Sequence, residues 1–140
     1  MALRYLLDTN VLSEATKPLP DAGVMDHINS DIAVYATAAP AWHEIEFGKL
    51  ALPIGKRRRA IEAVLEAIAA ELEILPYDNE AAEWHAAQRA RLEMRRATPS
   101  FVTGQIAAIA AVNKLVLVTR NVRDFAGFTG LRVESWVTAG

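Results

Sequence analysis

A chain of 140 residues with 52% apolar and 23% charged residues has the size of one domain and enough apolar side chains for a core, which excludes a disordered protein. It has no cysteine, which excludes disulfides, thiol nucleophiles and thiolate zinc sites and suits a reducing cytoplasm. No apolar run reaches membrane-spanning length, the N-terminus shows no basic-then-apolar signal pattern, and a net charge of −2 rules out nucleic-acid binding through overall charge, leaving only local basic patches for that role.

The apolar run Tyr5-Leu6-Leu7 is stopped by Asp8, with Thr9 and Asn10 following before helical residues resume near Val11. This reads as a buried strand with Asp8 at its carboxyl end, the edge where open α/β sheets bind ligands. A helix-capping role for Asp8 fits the same residues equally well. Pro18 to Asp21 marks a loop, and Ala22 to Ser30 reads as a short helix. Ile32 to Thr37 is a second buried strand, closed by Pro40, and a helix from Trp42 to about Leu52 carries Glu44 on the side of Gly48. Ile61, Val64, Leu65, Ile68 and Leu72 follow the spacing of an amphipathic helix. Ile74 to Tyr77 reads as a short strand, and Asp78 as the N-cap of a helix running to about Arg96.

Thr98-Pro99-Ser100 breaks the chain before an Ala-rich helix over Ile106 to Val112. Val116 to Thr119 is a buried strand, Arg120 to Asp124 a turn, and Leu131 to Val133 an edge strand. Strands alternating with helices predict a parallel sheet covered by helices on both faces, in one domain over residues 1–140.

Three strand ends thus carry polar residues: Asp8, then Glu44 on the helix after the second strand, then Asn121 with Asp124. Carboxylates repel, so a chain gathers them chiefly to hold a cation, and their hard oxygens suit Mg²⁺. Such an ion activates water and neutralises charge growing on a phosphate under attack.

Four segments in order resemble the PIN-domain ribonucleases, specifically the VapC toxins of type II toxin–antitoxin pairs and the similar FitB proteins. They are Leu6 to Ser13, Glu44-Ile45-Glu46-Phe47-Gly48, Gln105 to Ala110, and Thr119 to Phe125, with Ile74 to Asp78 also typical. The resemblance implies a PIN-like α/β fold and a Mg²⁺- or Mn²⁺-dependent endoribonuclease acting in the cytoplasm. It implies Asp8 as a metal ligand, Glu44 as a second ligand or water-orienting acid, and Asn121 with Asp124 beside the metal. The expected partners are RNA, a second copy in a homodimer, and a VapB-like antitoxin in a higher assembly that alone contacts DNA. The remaining family position, an Asp two residues before the Gln-Ile-Ala-Ala run, is here Thr103. A neutral hydroxyl is a weak Mg²⁺ ligand, so the expectation is an attenuated or inactivated enzyme, whether the substitution is natural or deliberate. Thr103 is equally a candidate helix N-cap.

Two rival functions bracket this reading. A haloacid-dehalogenase-like phosphatase wants a second Asp two residues after the first, where this chain has Asn10. A PIN-fold module that no longer cuts RNA and only holds an antitoxin is the alternative that Thr103 raises. The basic run Lys56-Arg57-Arg58-Arg59, together with Arg120, offers RNA-backbone contacts, although a solvated helix end explains the run at least as well. Arg89, Arg91, Arg95 and Arg96 form a second basic cluster of the same ambiguity. His43 points about 100° away from its neighbour Glu44, and His27 and His85 are isolated, so none is read as a ligand. Trp42, Trp84 and Trp136 read as core or interface anchors, and Glu46 and Asp78 as structural.

Overall fold

The computed structural model describes residues 2–30 and 32–137; positions 1, 31 and 138–140 of the expected domain lie outside the described residues. Five short strands, β1 (Tyr5–Leu7), β2 (Tyr35–Ala38), β3 (Glu73–Leu75), β4 (Val116–Val118) and β5 (Arg132–Glu134), pair in parallel in the order β3-β2-β1-β4-β5. Leu7 is in register with Thr37 on one side and Val118 on the other. The residues that follow, Asp8, Ala38 and Thr119, therefore share the carboxyl edge. From β1 the chain builds outward through β2 and β3, then returns to the opposite side of β1 with β4. The reversal falls between β1 and β4, the crevice where open α/β sheets take ligands.

Alternation along the strands divides the core into two layers, because successive side chains point to opposite faces. Leu6, Ala36 and Leu117 pack with Ala81 and Leu92 of α5 (Asn79–Met94) and Ile106 to Ala110 of α6 (Phe101–Val112). Leu7, Tyr35 and Val118 pack with α1 (Thr9–Glu14), α2 (Ala22–Ser30) and α4 (Lys56–Ala69) through Val11, Leu12, Val24, Ile28, Leu65 and Ile68. Helices on both faces of a parallel sheet are the predicted architecture. Trp136 is buried in the second layer, and half-buried Trp42 and Trp84 pack on one layer each, in line with their reading as core residues.

Several boundaries differ from the sequence expectation. Residues Ile32–Val34 form a 3₁₀ turn and β2 starts only at Tyr35, because β1 offers a strand partner only from Tyr5 onward. Helix α3 begins at Ala39, three residues before Trp42, and runs to Leu50. Pro40 lies in its first turn, where a missing N–H has no intrahelical partner to lose, so the proline opens the helix rather than merely closing the strand. Strand β3 is shifted toward Glu73 and ends at Leu75, before Pro76. Helix α6 starts at Phe101, five residues before Ile106, and its N-cap is Ser100, whose Oγ accepts from the Thr103 N–H at 3.2 Å. Thr103 therefore is not the N-cap; it lies in the first turn. Asp78 caps α5 as expected, accepting from the Ala81 N–H at 2.9 Å.

Close approach of α5 and α6 depends on Gly104. A Cβ there would stand 2.1 Å from His85 Nε2, and the ring is buried with Nδ1 bonded to the Tyr77 hydroxyl at 2.8 Å. Gly104→Ala is expected to push the ring out of that bond and to cost about 1–3 kcal/mol, read as a lower urea midpoint with unchanged slope. An unchanged midpoint would show that the helices separate without cost.

Candidate active site

Asp8 closes β1 and opens α1. Its backbone N–H continues the sheet by bonding Val118 O at 2.9 Å, and its Oδ1 accepts from the Thr9 N–H at 2.8 Å as the helix cap. Its Oδ2 accepts from the buried Thr119 hydroxyl at 2.8 Å, across the switch point. The helix therefore begins at Thr9, and Asp8 combines the capping role with a bond to the neighbouring strand end. With 7% of its surface exposed, its carboxyl is pushed above the usual Asp range, first by burial and further by the negative charge of Asp124. The bonds from Thr119 and Thr9 oppose that rise.

Asp124 lies in a 3₁₀ turn, Val122–Phe125, that follows β4. Its side chain is exposed and lines a depression of about 370 Å³ with Thr98, Pro99, Ser100 and Thr103. The Thr103 hydroxyl accepts from Ser100 Oγ at 2.8 Å, so part of its capacity is spent inside the helix cap. Asn121 stands at the start of the same turn, its N–H donating to Thr119 Oγ1 at 3.1 Å. Glu44 lies in a separate groove of about 270 Å³ between α1, α3 and α4, with Thr9, Ser13, Lys49 and Arg57. Asp8 links the two depressions: its neighbour Thr9 lines one, and the charge of Asp124 in the other reaches it.

Among the described residues, no three His, Cys, Asp or Glu side chains are grouped so as to hold a metal ion. The fit to a divalent ion is therefore lean. Asp8 keeps lone pairs on both carboxylate oxygens and an uncompensated negative neighbour, and a hydrated Mg²⁺ needs only one or two carboxylates. Asp8 would hold it; Asp124 adds its negative charge from the neighbouring depression, while Glu44 stands in the separate groove lined by Thr9.

Of the basic run, Arg57 faces the Glu44 groove, while Arg58 is bonded to Glu62 at 3.0 Å and to Leu52 O at 3.4 Å. Lys56 is exposed at the start of α4. In the second cluster, Arg89 pairs with Glu93 at 3.1 Å, and Arg91 bonds Gln88 and Gly127 O, each at 2.7 Å. Glu46 pairs with Lys49 at 2.8 Å, a structural role. His43 is exposed, and His27 stacks on Trp136 with ring centroids 4.2 Å apart.

Three residues gain roles that pattern reading did not assign. Thr119 orients Asp8. Asn10 fastens the two strand ends, its Oδ1 accepting from the Arg120 N–H at 3.1 Å and its amide donating to Thr119 Oγ1 at 3.4 Å. Glu14 is 4% exposed and accepts from the Asp21 N–H, Lys17 and Arg120. Asn10 and Thr119 stand within the motifs and Glu14 directly after the first of them, but only the pairing of β1 with β4 shows that they meet.

The Glu14 carboxyl lies below the usual Glu range, first through its hydrogen bond with Lys17, then through the Asp21 N–H and the charges of Lys17 and Arg120, which together outweigh desolvation. A lowered carboxylate stabilises the fold fully above its unfolded value, about pH 4.3, and loses that contribution as pH falls through the folded value. Glu14→Gln is therefore expected to cost about 2 kcal/mol at neutral pH through lost charge-assisted hydrogen bonds. The difference in Tm between the two proteins should shrink steadily on acidification below about pH 4.3. A difference independent of pH would exclude an ionised Glu14 as its source.

The sequence matches the PIN domain family over residues 5–129. It is 32% identical over 127 residues to VapC ribonuclease Y4jK of Sinorhizobium fredii, covering 86% of this chain and 89% of that one. It is 31% identical over 135 residues to the tRNA(fMet)-specific endonuclease VapC of Salmonella typhimurium, covering 96% and 98%. Its fold is similar to a chain of the DNA-bound VapBC crystal structure from Salmonella typhimurium, with a TM-score of 0.83 at 28% identity over 96% of this chain and 98% of that one. With the buried aspartate at the β1–β4 switch point, these likenesses lead to one conclusion: the chain belongs to the PIN-domain family, among the VapC-type toxin ribonucleases.

Proposed function

We propose that this chain is a Mg²⁺- or Mn²⁺-dependent endoribonuclease, formed by a single PIN domain over residues 1–140, whose activity is attenuated by Thr103. The observation that carries the reading is Asp8: a carboxylate buried at the switch point, oriented by Thr119 and Thr9, with Asp124 as an uncompensated negative neighbour. A bound divalent ion supplies Lewis acidity toward a phosphodiester oxygen and lowers the pKa of water.

The residues of the chain do the rest. Asp8 holds its carboxylate rigidly, since both oxygens already have partners. Glu44, exposed in its groove, orients water or accepts a proton, and Asn121 and Asp124 position the outer shell. Arg57, Lys56 and Arg120 attract the RNA backbone, with Arg58 contributing less because Glu62 already engages it. The attenuation rests on Thr103, a neutral side chain bonded to Ser100 in the depression it shares with Asp124.

By analogy with the VapBC complex, the chain pairs with a VapB-like antitoxin as a homodimer in a larger assembly and meets DNA only through that partner. Cytoplasmic action is part of the same reading; among the described residues no helix is long and apolar enough to cross a membrane. Among the described residues no three acids are grouped to hold a metal ion, which favours one second reading, a PIN-fold module that binds an antitoxin without cutting RNA.

The two separate in a cleavage assay on cellular RNA and on tRNA(fMet), the substrate in the name of the Salmonella typhimurium relative, with Mg²⁺ or Mn²⁺ added. Thr103→Asp is expected to raise cleavage by at least about tenfold over the unaltered chain, about 1.4 kcal/mol of barrier, and Asp8→Ala in that background to abolish it. Equal activity of the unaltered chain and Thr103→Asp would overturn attenuation. Silence from both would favour the binding module.

A further inference from the structure

Glu14 has no part in the reaction outlined above, yet it is buried and fully engaged. Its Oε1 accepts from the Asp21 N–H at 2.8 Å, and its Oε2 takes both Lys17 Nζ at 2.7 Å and Arg120 Nη1 at 3.1 Å. Two cations thus converge on one carboxylate oxygen. The carboxylate side chain is 6% exposed, whereas Lys17 and Arg120 remain 49% and 40% exposed. The anion lies inside and the cations face water.

The placement matters as much as the charge. Arg120 follows Thr119, which bonds Asp8, and its own N–H is tied to Asn10. Glu14 ends α1, the helix that Asp8 begins, so the six-residue helix sets the Glu14 backbone about 9 Å along its axis from that of the aspartate. The cluster thus stands beside the aspartate rather than on it, on the scale that separates neighbouring phosphates of a strand. Long Lys and Arg side chains lose rotamer freedom when they grip an anion, and a cation already held in place loses less.

We propose that Lys17 and Arg120 form a seat for an RNA backbone phosphate flanking the cleaved one, with Glu14 as the residue that positions both cations. The proposal rests on the ribonuclease reading and extends it to substrate alignment. Glu14 acting only as a staple between α1 and the β4 end is the contrasting case, and the sign of one substitution separates them. Removing an acid from the path of a polyanion should tighten binding by simple charge; removing a positioning residue should weaken it.

The test is binding of a fluorescent single-stranded RNA oligonucleotide to the full chain in EDTA, which prevents cleavage, over a range of salt concentrations. Melting curves fix a temperature at which each variant is folded. Arg120→Ala is expected to weaken binding about fivefold and to reduce the salt slope by about 0.7. Lys17→Ala should act in the same direction. Glu14→Ala should weaken binding about threefold, and Glu14→Ala added to the Lys17→Ala/Arg120→Ala double variant should bind no more weakly than that double variant alone, since Glu14 acts through the two cations. Glu14→Gln carries the same expectation if Glu14→Ala does not fold. Tighter or unchanged binding by the Glu14 variants would overturn the positioning role. Binding indifferent to both cations would overturn the seat while leaving the ribonuclease reading intact. No RNA binding by the unaltered chain would overturn both.

Discussion

A carboxylate buried where a parallel sheet reverses its strand order is the constraint around which this molecule is arranged. Asp8 is expensive in that position, because desolvation and the charge of Asp124 both disfavour its ionised form. The fold compensates with two hydrogen bonds, from the Thr9 N–H and the Thr119 hydroxyl. Those bonds exist only because β1 and β4 end level, with Leu7 opposite Val118. Register, a property of the whole sheet, thereby determines the environment of one side chain.

The same junction gathers Asn10, Glu14, Thr119 and Arg120 into a continuous polar network at the ends of β1 and β4. Asn10 bridges to Arg120 through its N–H, and Glu14 reaches the Arg120 guanidinium. Together with Asp8, three of these groups, Asn10, Glu14 and Thr119, are buried or half-buried and would be destabilising if unpaired, so their mutual satisfaction is what lets the edge be both polar and well packed. Negative charge collects around Asp8 and Asp124, and positive charge about one helix length away at Lys17 and Arg120. The proposed RNA path would use that division, with cations beside the strand and carboxylates at the cleaved phosphate.

Thr103, on which the proposed attenuation rests, fits the scaffold. Ser100 caps α6 and donates to the threonine hydroxyl, so this side chain is accommodated in the first turn. An acid in that turn would sit favourably at a helix N-terminus. Nothing in the local structure requires the neutral residue, and the depression shared with Asp124 remains open.

Much of this was legible from residue order alone. Apolar triplets ended by polar residues located the strands, the i, i+3, i+4 spacing of Ile61 to Ile68 located α4 although Leu72 falls beyond its end at Ala69, and Asp8 fell at a strand end because an aspartate cannot extend a buried apolar run. Local rules were weaker where two of them competed. The sequence reads Pro40 as closing a strand and Thr103 as a candidate cap; in the fold Pro40 opens α3, and the Thr103 N–H donates to Ser100 Oγ, which makes Ser100 the cap. The network of Glu14, Lys17 and Arg120 was beyond sequence reading, since it joins positions 106 residues apart and depends on which strand pairs with β1. Periodicity and turn chemistry report what a segment does with its neighbours in the chain, so they determined the elements and the strand-end acids. Which acids share a site, which cations answer them and which carboxylate is buried follow from strand order and register, and only the tertiary structure decided those.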